Sequence, residues 1–324
     1  MMQKSKKSKL LAISPYPLNV MTNKKEELMQ TQISLTTPAD FNFGSTVNSH
    51  GWERLEPFAL NREHQVLTRI ERLPSQLSRL EITHDDKINV TVHSENQLNQ
   101  EDKAYVAEFI AHCFSFTWDM SRCYAKVADD PTYSFIKAER LGRLFLAPNM
   151  WENLVKTQFL TNTHATHTTA MAAKFCTLGD PCGEKYAFPT PEQVLAKSVD
   201  ELEKQTGTGY RATYIRSLAE AIASGFNPES LQNPALSYED IYDQVRTLRG
   251  FGPYSASYVL KLLGRFERIS MDTVIRRYFK EITGQENATD DDINAYYERF
   301  GECKGLVAWW EVSCRADHKG ELSF

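Results

Sequence analysis

The chain has 324 residues, of which 41% are hydrophobic and 24% are charged, and its formal net charge at pH 7 is −5. This composition is typical of a soluble globular protein, and the length suits one large domain or two smaller ones. The sequence has no run of 18 or more apolar residues, which argues against a transmembrane helix and a membrane partner. The negative net charge does not favour nucleic-acid binding, so a basic surface has to be sought locally.

Residues 1–30 are predicted to form a flexible, basic N-terminal tail. They contain six lysines, and no acidic residue comes before Glu26. A solubilising or disordered tail is the simplest interpretation of this pattern, and a targeting peptide or a non-specific DNA-binding arm is the alternative. The segment has no arginine, which weakens the case for an organelle-transit peptide.

Residues 31–131 are predicted to form an antiparallel β domain. Ile88, Val90 and Val92 alternate with polar residues, as expected for a half-buried strand. Apolar residues at 80 and 82 precede them across the acidic turn Asp85-Asp86, which predicts a hairpin. The segments 41–46 and 51–53 are predicted to form a second pair of strands.

Residues 132–324 are predicted to form a mostly α-helical domain, which makes the fold class α+β. Thr190 is followed by a proline and then, at the third position, by Gln193, a capping box with Pro at the first helical position. Ser198 and Glu201 repeat the pattern a few residues later. Short capped helices in succession indicate a helical domain.

A glycine hairpin between two predicted helices is the most informative motif. It has the sequence Leu248-Arg249-Gly250-Phe251-Gly252. Upstream, Ser237 followed by Asp240 predicts a helix start, and downstream apolar residues recur at helical spacing. Glycine permits a tight turn, and backbone N–H groups at the start of a helix can bind phosphate. The motif therefore predicts a DNA-binding hairpin.

Asp272 follows twenty-two residues after Gly250, in the sequence Ser270-Met271-Asp272-Thr273. Its position suggests DNA held by its backbone beside a carboxylate that does chemistry. Asp272 is also well placed to cap the helix that starts at Thr273, and the two roles are compatible. Residues 248–280 carry seven basic and two acidic residues, whereas residues 281–300 carry one basic and six acidic residues. This separation of charge permits a basic DNA footprint on an acidic protein.

The segment from about Tyr238 to Phe279 resembles the helix-hairpin-helix (HhH-GPD) DNA glycosylase superfamily, which includes 3-methyladenine and 8-oxoguanine glycosylases. The resemblance rests on the LxGxGxxxA pattern, the amphipathic helices on both sides and the spaced aspartate. It implies a base-excision repair enzyme that flips a nucleotide and cleaves its N-glycosidic bond, with Asp272 as the catalytic residue. Residues 31–131 loosely resemble the β domain that precedes the helical part in some branches.

The residue two positions after Gly252 indicates the reaction class. In relatives that also cut the strand a lysine there forms a Schiff base, but this chain has Tyr254, which cannot. The resemblance therefore implies a monofunctional enzyme that activates water. Bacterial alkyladenine glycosylases carry an aromatic residue at this place, so Tyr254 is predicted to line the base pocket and the substrate to be an alkylated purine. Packing at a helix start is the plainer role for Tyr254.

Two further segments resemble DNA-contacting parts of the 8-oxoguanine branch. Asn162 matches a residue that fills the gap left by the extruded nucleotide, and His164 is a candidate for the same role. Tyr210 and Arg211 match a wedge segment that acts against the opposite base. A capped helix end, a packed tyrosine and a solvated arginine are the structural alternatives. Trp309 is interpreted as a packing residue.

The alternatives to this interpretation are an 8-oxoguanine glycosylase with lyase activity and a non-catalytic DNA-binding module. The expected partner is duplex DNA with a damaged base, bound by a monomer in the cytoplasm, nucleoid or nucleus. The six cysteines show no CxxC pair and are expected to be reduced thiols.

No protein metal site or other cofactor is expected from the sequence. An iron–sulfur cluster cannot be built from the region beyond Asp272, which has only two cysteines. A zinc site of His164, His167, Cys176 and Cys182 fits no common ligand spacing. The resemblance allows a monovalent cation at backbone carbonyls of the hairpin.

Overall fold

A five-stranded antiparallel sheet forms the N-terminal part of the protein. The computed structural model describes residues 28–318, with side chains up to residue 313, so most of the predicted basic tail lies outside the described residues. The strands are β1 (Met29–Thr36), β2 (Phe58–Asn61), β3 (Val66–Arg72), β4 (Leu77–His84) and β5 (Lys87–Ser94). Their order in the sheet is β1-β5-β4-β3-β2.

The predicted hairpin is confirmed as β4 and β5. Ile82 pairs with Val90 and Leu80 pairs with Val92, and all four side chains are fully buried. Because successive strand residues face opposite sides, this register turns the apolar face of both strands toward the core.

The second predicted strand pair was wrong. Residues 43–47 form helix α1 (Phe43–Val47), whose N-cap Asn42 accepts a hydrogen bond from the Ser45 N–H. Gly51 then takes a left-handed φ of 93°, and a 3-10 helix (Trp52–Arg54) follows. The aromatic side chains that suggested strands, those of Phe41, Phe43 and Trp52, are buried in the core, and Trp52 is fully enclosed.

Helices make up most of the rest of the chain. The first are α2 (Gln100–Cys113), α3 (Ser121–Val127), α4 (Ser134–Ala138), α5 (Met150–Phe159) and α6 (Ala165–Cys176). A short two-stranded ribbon, β6 (Pro181–Cys182) and β7 (Lys185–Tyr186), precedes α7 (Pro191–Leu195), α8 (Val199–Thr206) and α9 (Arg211–Ala223). The last are α10 (Tyr238–Thr247), α11 (Pro253–Leu262), α12 (Thr273–Thr283), α13 (Asp290–Tyr297) and α14 (Lys304–His318). The sheet therefore ends at Ser94, well before residue 131, and from Gln100 onward the chain is mainly helical.

The predicted helix starts at Thr190, Ser198 and Ser237 are all confirmed as capping boxes. In each, the cap hydroxyl accepts a hydrogen bond from the N3 backbone N–H, and a side-chain oxygen of the N3 residue accepts one from the cap backbone N–H. Such reciprocal bonds satisfy two donors that a helix start leaves free, which explains why these boundaries could be predicted from four residues. In the described residues no helix is long and apolar enough to cross a membrane.

Helix α5 lies at the centre of the fold, and all ten of its residues are buried. An ion network joins it to the sheet. Arg69 of β3 donates to both carboxylate oxygens of Glu152 at 2.9 and 2.7 Å, and its Nε bonds to Glu71. Lys156, one turn along α5, reaches Glu152 Oε1 at 2.7 Å and the Leu55 carbonyl at 3.2 Å. The sheet and the helices thus share one core.

A second apolar core lies beneath α3, α12, α13 and α14. There Cys123 and Cys303, 180 residues apart, are joined by a disulfide, which corrects the expectation that all the cysteines are reduced thiols. The expectation failed because spacing along the sequence gave no sign that α3 packs against the segment before α14. Cys113, Cys176 and Cys182 are free.

Candidate active site

A cavity of about 1140 Å³ opens where the two cores meet. Six parts of the chain form its walls. They are the turn around Gly51, the loop at 160–165, the start of α9 with Tyr210 and Tyr214, the hairpin with α11, the segment 269–278, and the start of α14. Both the glycine hairpin and Asp272 therefore face one shared space, although they are separated along the sequence.

The two hairpin glycines meet different constraints. Gly250 has a φ of +89°, and a Cβ there would lie 2.4 Å from the ring of Tyr214. Gly252 has extended backbone, and a Cβ there would meet nothing closer than Arg246 at 3.9 Å. Gly250 is thus required by the turn and its packing, whereas the fold itself does not require Gly252. This corrects the idea that the turn needs both glycines.

Phe251 fixes the hairpin to the core, because its side chain is buried while Arg249 beside it is exposed. Leu248 ends α10, and the Phe251 N–H bonds back to its carbonyl at 3.1 Å. Within the described chain, the N–H groups of Gly250 and Gly252 have no protein acceptor. Such groups beside a helix N-terminus suit a phosphate oxygen.

Asp272 is the N-cap of α12, so its predicted structural role is observed. Its Oδ1 accepts hydrogen bonds from the backbone N–H groups of Val274 at 2.9 Å and Ile275 at 2.8 Å. Both bonds use the same oxygen, so Oδ2 is not needed for the cap. The helix N-terminus favours a negative charge at this position. The carboxylate is therefore held in one orientation at the wall of the cavity.

Helix α11 presents Tyr254, Tyr258 and Lys261 to the cavity on one face. The spacing of four and then three residues places the three side chains along that face. Tyr254 is half-buried and Tyr258 is buried. Burial raises the pKa of both hydroxyls, and the nearby Asp272 charge adds to the effect, so neither tyrosine ionises near neutral pH.

Lys261 is the buried cation of the cavity. Its Nζ lies 3.7 Å from the ring centroid of Trp309 and 4.3 Å from that of Tyr258. Loss of hydration on burial lowers its pKa from 10.5 to about 7, and Asp272 opposes part of that shift. A substantial fraction of the Lys261 side chains is therefore neutral near pH 7.

His50 fixes the orientation of Tyr258. Its Nε2 lies 2.7 Å from the Phe145 carbonyl, so Nε2 carries the proton and Nδ1 accepts from the Tyr258 hydroxyl at 3.1 Å. Burial, followed by repulsion from Lys261, lowers the pKa of His50 to about 3. His50 therefore stays neutral above about pH 5, and it holds the ring against which the Lys261 ammonium rests.

The loop between α5 and α6 carries Asn162 and His164 at the rim of the cavity. Asn162 is exposed and has a φ of +46°, a left-handed conformation that asparagine tolerates better than most residues. His164 is exposed at the N-cap of α6, but its side chain makes no capping bond. Both side chains are placed where they can reach a ligand in the cavity.

Tyr210 stands next to that loop. It is 47% exposed, and its hydroxyl lies 3.4 Å from the Thr161 hydroxyl. Its ring contacts Tyr214 edge-on, with the ring centroids 5.6 Å apart, and Tyr214 in turn packs on Gly250. The predicted wedge and gap-filling residues and the hairpin thus surround one opening.

Arg211 does not face that opening, which corrects the prediction that it contacts DNA. It is buried, and its guanidinium donates to the carbonyls of Gln158, Thr161 and Asn162. Because these carbonyls lie where α5 ends, Arg211 satisfies acceptors that the helix leaves without partners. Its role is to hold the Asn162 loop in place.

The basic segment 248–280 is less free than its composition indicated. Arg276 forms a two-point ion pair with Asp290, at 2.7 and 2.9 Å, in the acidic segment that follows. Arg265 is paired with Glu267 at 2.9 Å, and Lys261 lies inside the cavity. Arg249, at the tip of the hairpin, is exposed. Arg249 thus places positive charge at the hairpin itself.

Sequence reasoning missed Lys261, Tyr258 and His50 and treated Trp309 as packing only, yet all four line the cavity. A signal for two of them was available, because Tyr258 and Lys261 follow Tyr254 at helical spacing. His50 and Trp309 come from distant parts of the chain, and only the fold brings them to α11.

No group of three or more histidine, cysteine, aspartate or glutamate side chains lies close enough to hold a metal ion in the part of the chain that the structure describes. A cation held by hairpin carbonyls is a different kind of site, and it stays a prediction.

The chain is similar to known proteins in sequence and in fold. Residues 155–303 match the family model described as HhH-GPD superfamily base excision DNA repair protein. A Saccharomyces cerevisiae protein named N-glycosylase/DNA lyase is 22% identical over 219 residues, which are 58% of this chain and 57% of that protein. The chain thus matches little more than half the length of this relative.

Two solved structures share the fold. MBOgg1 in complex with a low-affinity DNA ligand superposes with a TM-score of 0.70 at 21% identity, covering 90% of this chain and 96% of that one. A 3-methyladenine DNA glycosylase from Archaeoglobus fulgidus gives a TM-score of 0.67 at 17% identity, covering 88% and 98%. Both similarities extend across the sheet and the helices, so they confirm the predicted α+β fold class.

Proposed function

We propose that this chain, whose residues 155–303 match the HhH-GPD superfamily model of base excision DNA repair proteins, flips a damaged base out of duplex DNA and removes it by hydrolysis. The observation that carries the proposal is that Asp272 and the glycine hairpin line one cavity. A nucleotide turned out of the duplex needs such a space, with the DNA backbone held at its edge.

Asp272 is the proposed catalytic residue. When the bond between C1′ and the base nitrogen breaks, its electron pair leaves with the base and positive charge develops on the sugar. A fixed carboxylate stabilises that charge and can accept a proton from the water that attacks C1′. The cap bonds hold Oδ1, so Oδ2 is the oxygen we assign to this role.

Tyr254 supports hydrolysis without strand cutting, because a phenol cannot form an imine with the sugar. Its ring at the cavity wall can stack on the everted base, which supports an alkylated purine as substrate. Around the opening, Asn162 and His164 are proposed to fill the gap in the duplex and Tyr210 to wedge against the opposite base. The protein would act on damaged duplex DNA as a monomer.

A specific observation favours a second candidate, an 8-oxoguanine-type glycosylase with lyase activity. Lys261 places an amine in the cavity, and burial lowers its pKa to about 7, so part of the population can act as a nucleophile. Borohydride trapping on lesion-containing DNA separates the two candidates. A covalent adduct requires an imine, so its appearance would refute the monofunctional proposal.

Base release from a panel of lesion duplexes (methylated, oxidised, deaminated and mismatched) tests the proposed function. Asp272→Asn keeps an oxygen that can accept both cap bonds but removes the charge. We expect base release to fall by about a hundredfold or more, while DNA binding and thermal stability stay close to the wild type.

The variant also separates an enzyme from the third alternative, a non-catalytic DNA-binding module. Such a module would bind lesion DNA equally well with either residue at 272, and neither protein would release a base. Release that is unchanged in Asp272→Asn would remove the catalytic role from this carboxylate.

A further inference from the structure

The ammonium of Lys261 is buried without a hydrogen-bond partner. The residue is 5% exposed, and its Nζ rests against the faces of Tyr258 and Trp309. Within the described part of the chain, no acceptor lies in hydrogen-bond range of this nitrogen and no carboxylate lies in ion-pair range. The aromatic faces compensate its charge in part, but its N–H donors remain unused.

Among the described residues, the other deeply buried lysine shows the contrast. Lys156 has both a carboxylate, on Glu152, and a backbone carbonyl, on Leu55, within 2.7 and 3.2 Å. Burying a polar group without such partners costs free energy, so structures rarely leave one unless something else supplies the partner. Lys156 is a structural residue by this criterion, whereas the Lys261 ammonium, which is not among the fully enclosed unpaired groups, faces the cavity without a protein partner in the described residues.

The surroundings of Lys261 indicate the chemistry of an outside partner. Tyr254, Tyr258 and Trp309 line the cavity around it, so a flat aromatic ring fits there better than a phosphate. The partner has to accept a hydrogen bond, because an ammonium only donates. A neutral partner suits this position better than a cationic one, because the Lys261 ammonium repels a cation a few ångströms away.

We propose, on the basis of the proposed excision of a damaged base, that Lys261 selects the base: it donates a hydrogen bond to a carbonyl oxygen of a neutral damaged base and disfavours a cationic one. This selection replaces the preference for an alkylated purine that Tyr254 alone would give. The same contact assists departure of the base. As the bond to C1′ breaks, its electron pair moves onto the base, the carbonyl oxygen becomes more negative, and the hydrogen bond from Lys261 strengthens.

Three lesion duplexes separate charge from hydrogen bonding. Hypoxanthine is neutral and has a carbonyl, 7-methylguanine has a carbonyl but is cationic, and ethenoadenine is neutral without a carbonyl. Single-turnover release is measured for the wild type, for Lys261→Met and for Lys261→Arg, with Lys137→Met, an exposed lysine on α4, as the matched control. The wild type is expected to release hypoxanthine faster than either of the other two bases.

Lys261→Met keeps the length of the side chain and suits an apolar aromatic niche. It is expected to lower the preference for hypoxanthine over 7-methylguanine by about tenfold, the worth of one hydrogen bond from a charged donor. Lys261→Arg is expected to keep the preference, and Lys137→Met is expected to behave like the wild type.

Three outcomes overturn the assignment. They are a wild-type preference for 7-methylguanine, an unchanged preference in a folded Lys261→Met protein, and a borohydride-trapped adduct on Lys261, which would make it a nucleophile. The wild-type comparison stands even if the methionine variant does not fold. Failure of the proposed function itself looks different, because the wild type would then release none of the bases on the lesion panel.

Discussion

Gly250 and Gly252 lie one residue apart, yet substitution should affect them in opposite ways. Gly250→Ala places a Cβ against the Tyr214 ring in a backbone conformation that strains L residues. We expect it to lower the free energy of unfolding by about 1–3 kcal/mol. In Gly252→Ala the added methyl group meets only Arg246, at 3.9 Å, so stability should be unchanged. If the hairpin binds the strand as proposed, the same methyl group should weaken DNA binding.

Thermal unfolding and fluorescence anisotropy with duplex DNA measure both effects. Each variant serves as the control for the other. If Gly252→Ala binds DNA as tightly as the wild type, the hairpin does not hold the strand closely. If Gly250→Ala is as stable as the wild type, its contact with Tyr214 can relax at little cost.

At the same scale, Asp272 could be predicted from the sequence, because its signal is local: a hairpin, a fixed spacing and a helix start. The role of Lys261 could not be predicted, because it depends on the lack of a hydrogen-bond partner for the ammonium in the folded protein. It also depends on the contact with Trp309, which lies on α14, 48 residues later in the chain. The role of Arg211 could not be predicted for a similar reason, since the carbonyls it satisfies lie at the end of α5 and in the loop after it.

Among the elements, the ion network between β3 and α5 is predicted to be essential for stability. Arg69→Met leaves Glu71 and Glu152 without the guanidinium between them, and both are buried. We expect a loss of about 3–5 kcal/mol in the free energy of unfolding, measured by denaturant titration.

Arg79→Met provides the matched control. Arg79 also pairs with a glutamate two residues further along its strand, but its side chain is 47% exposed. Because solvent screens such pairs, we expect less than about 1 kcal/mol. Equal effects of the two substitutions would mean that burial adds nothing to the Arg69 network.

The elements also show which patterns can be predicted. The β4–β5 hairpin followed from alternation within a dozen residues, and the three capping boxes followed from four residues each. The strands predicted for 41–53 were wrong because the aromatic residues of this segment are spaced as in a strand. In the structure Asn42 caps a helix, and Gly51 has a left-handed backbone conformation. The burial of Trp52 depends on distant helices, and no local pattern encodes it.

For the whole molecule, the disulfide between Cys123 and Cys303 makes a direct prediction. When the protein is denatured without a reducing agent, each chain should take up two fewer thiol-reactive labels than when it is reduced first. Mass spectrometry counts the labels. Reduction should lower the unfolding temperature, because the bond closes a loop of 180 residues. Equal labelling before and after reduction would show that the two thiols are free in solution. Cys182→Ser, which removes a free cysteine, should lose one label under both conditions and keep the difference of two.

The overall layout of a β part followed by a helical part could be predicted from composition and periodicity. The sharing of one core by the sheet and the first helices could not, nor could the second core under α14. Both arise from contacts between distant segments, since Arg69 pairs with Glu152, 83 residues later, and Cys123 bonds to Cys303, 180 residues later.

The contact of Gly250 with Tyr214, and of Tyr214 with Tyr210, has a mechanical consequence. The turn that would grip one strand and the ring that would probe the opposite one are linked through a single aromatic side chain. In the proposed complex, a displacement of the Gly250 turn by a bound phosphate would press on the Tyr214 ring and, through it, on Tyr210. Such a linkage would let the protein test the rigidity of a base pair with the same movement by which it takes hold of the duplex.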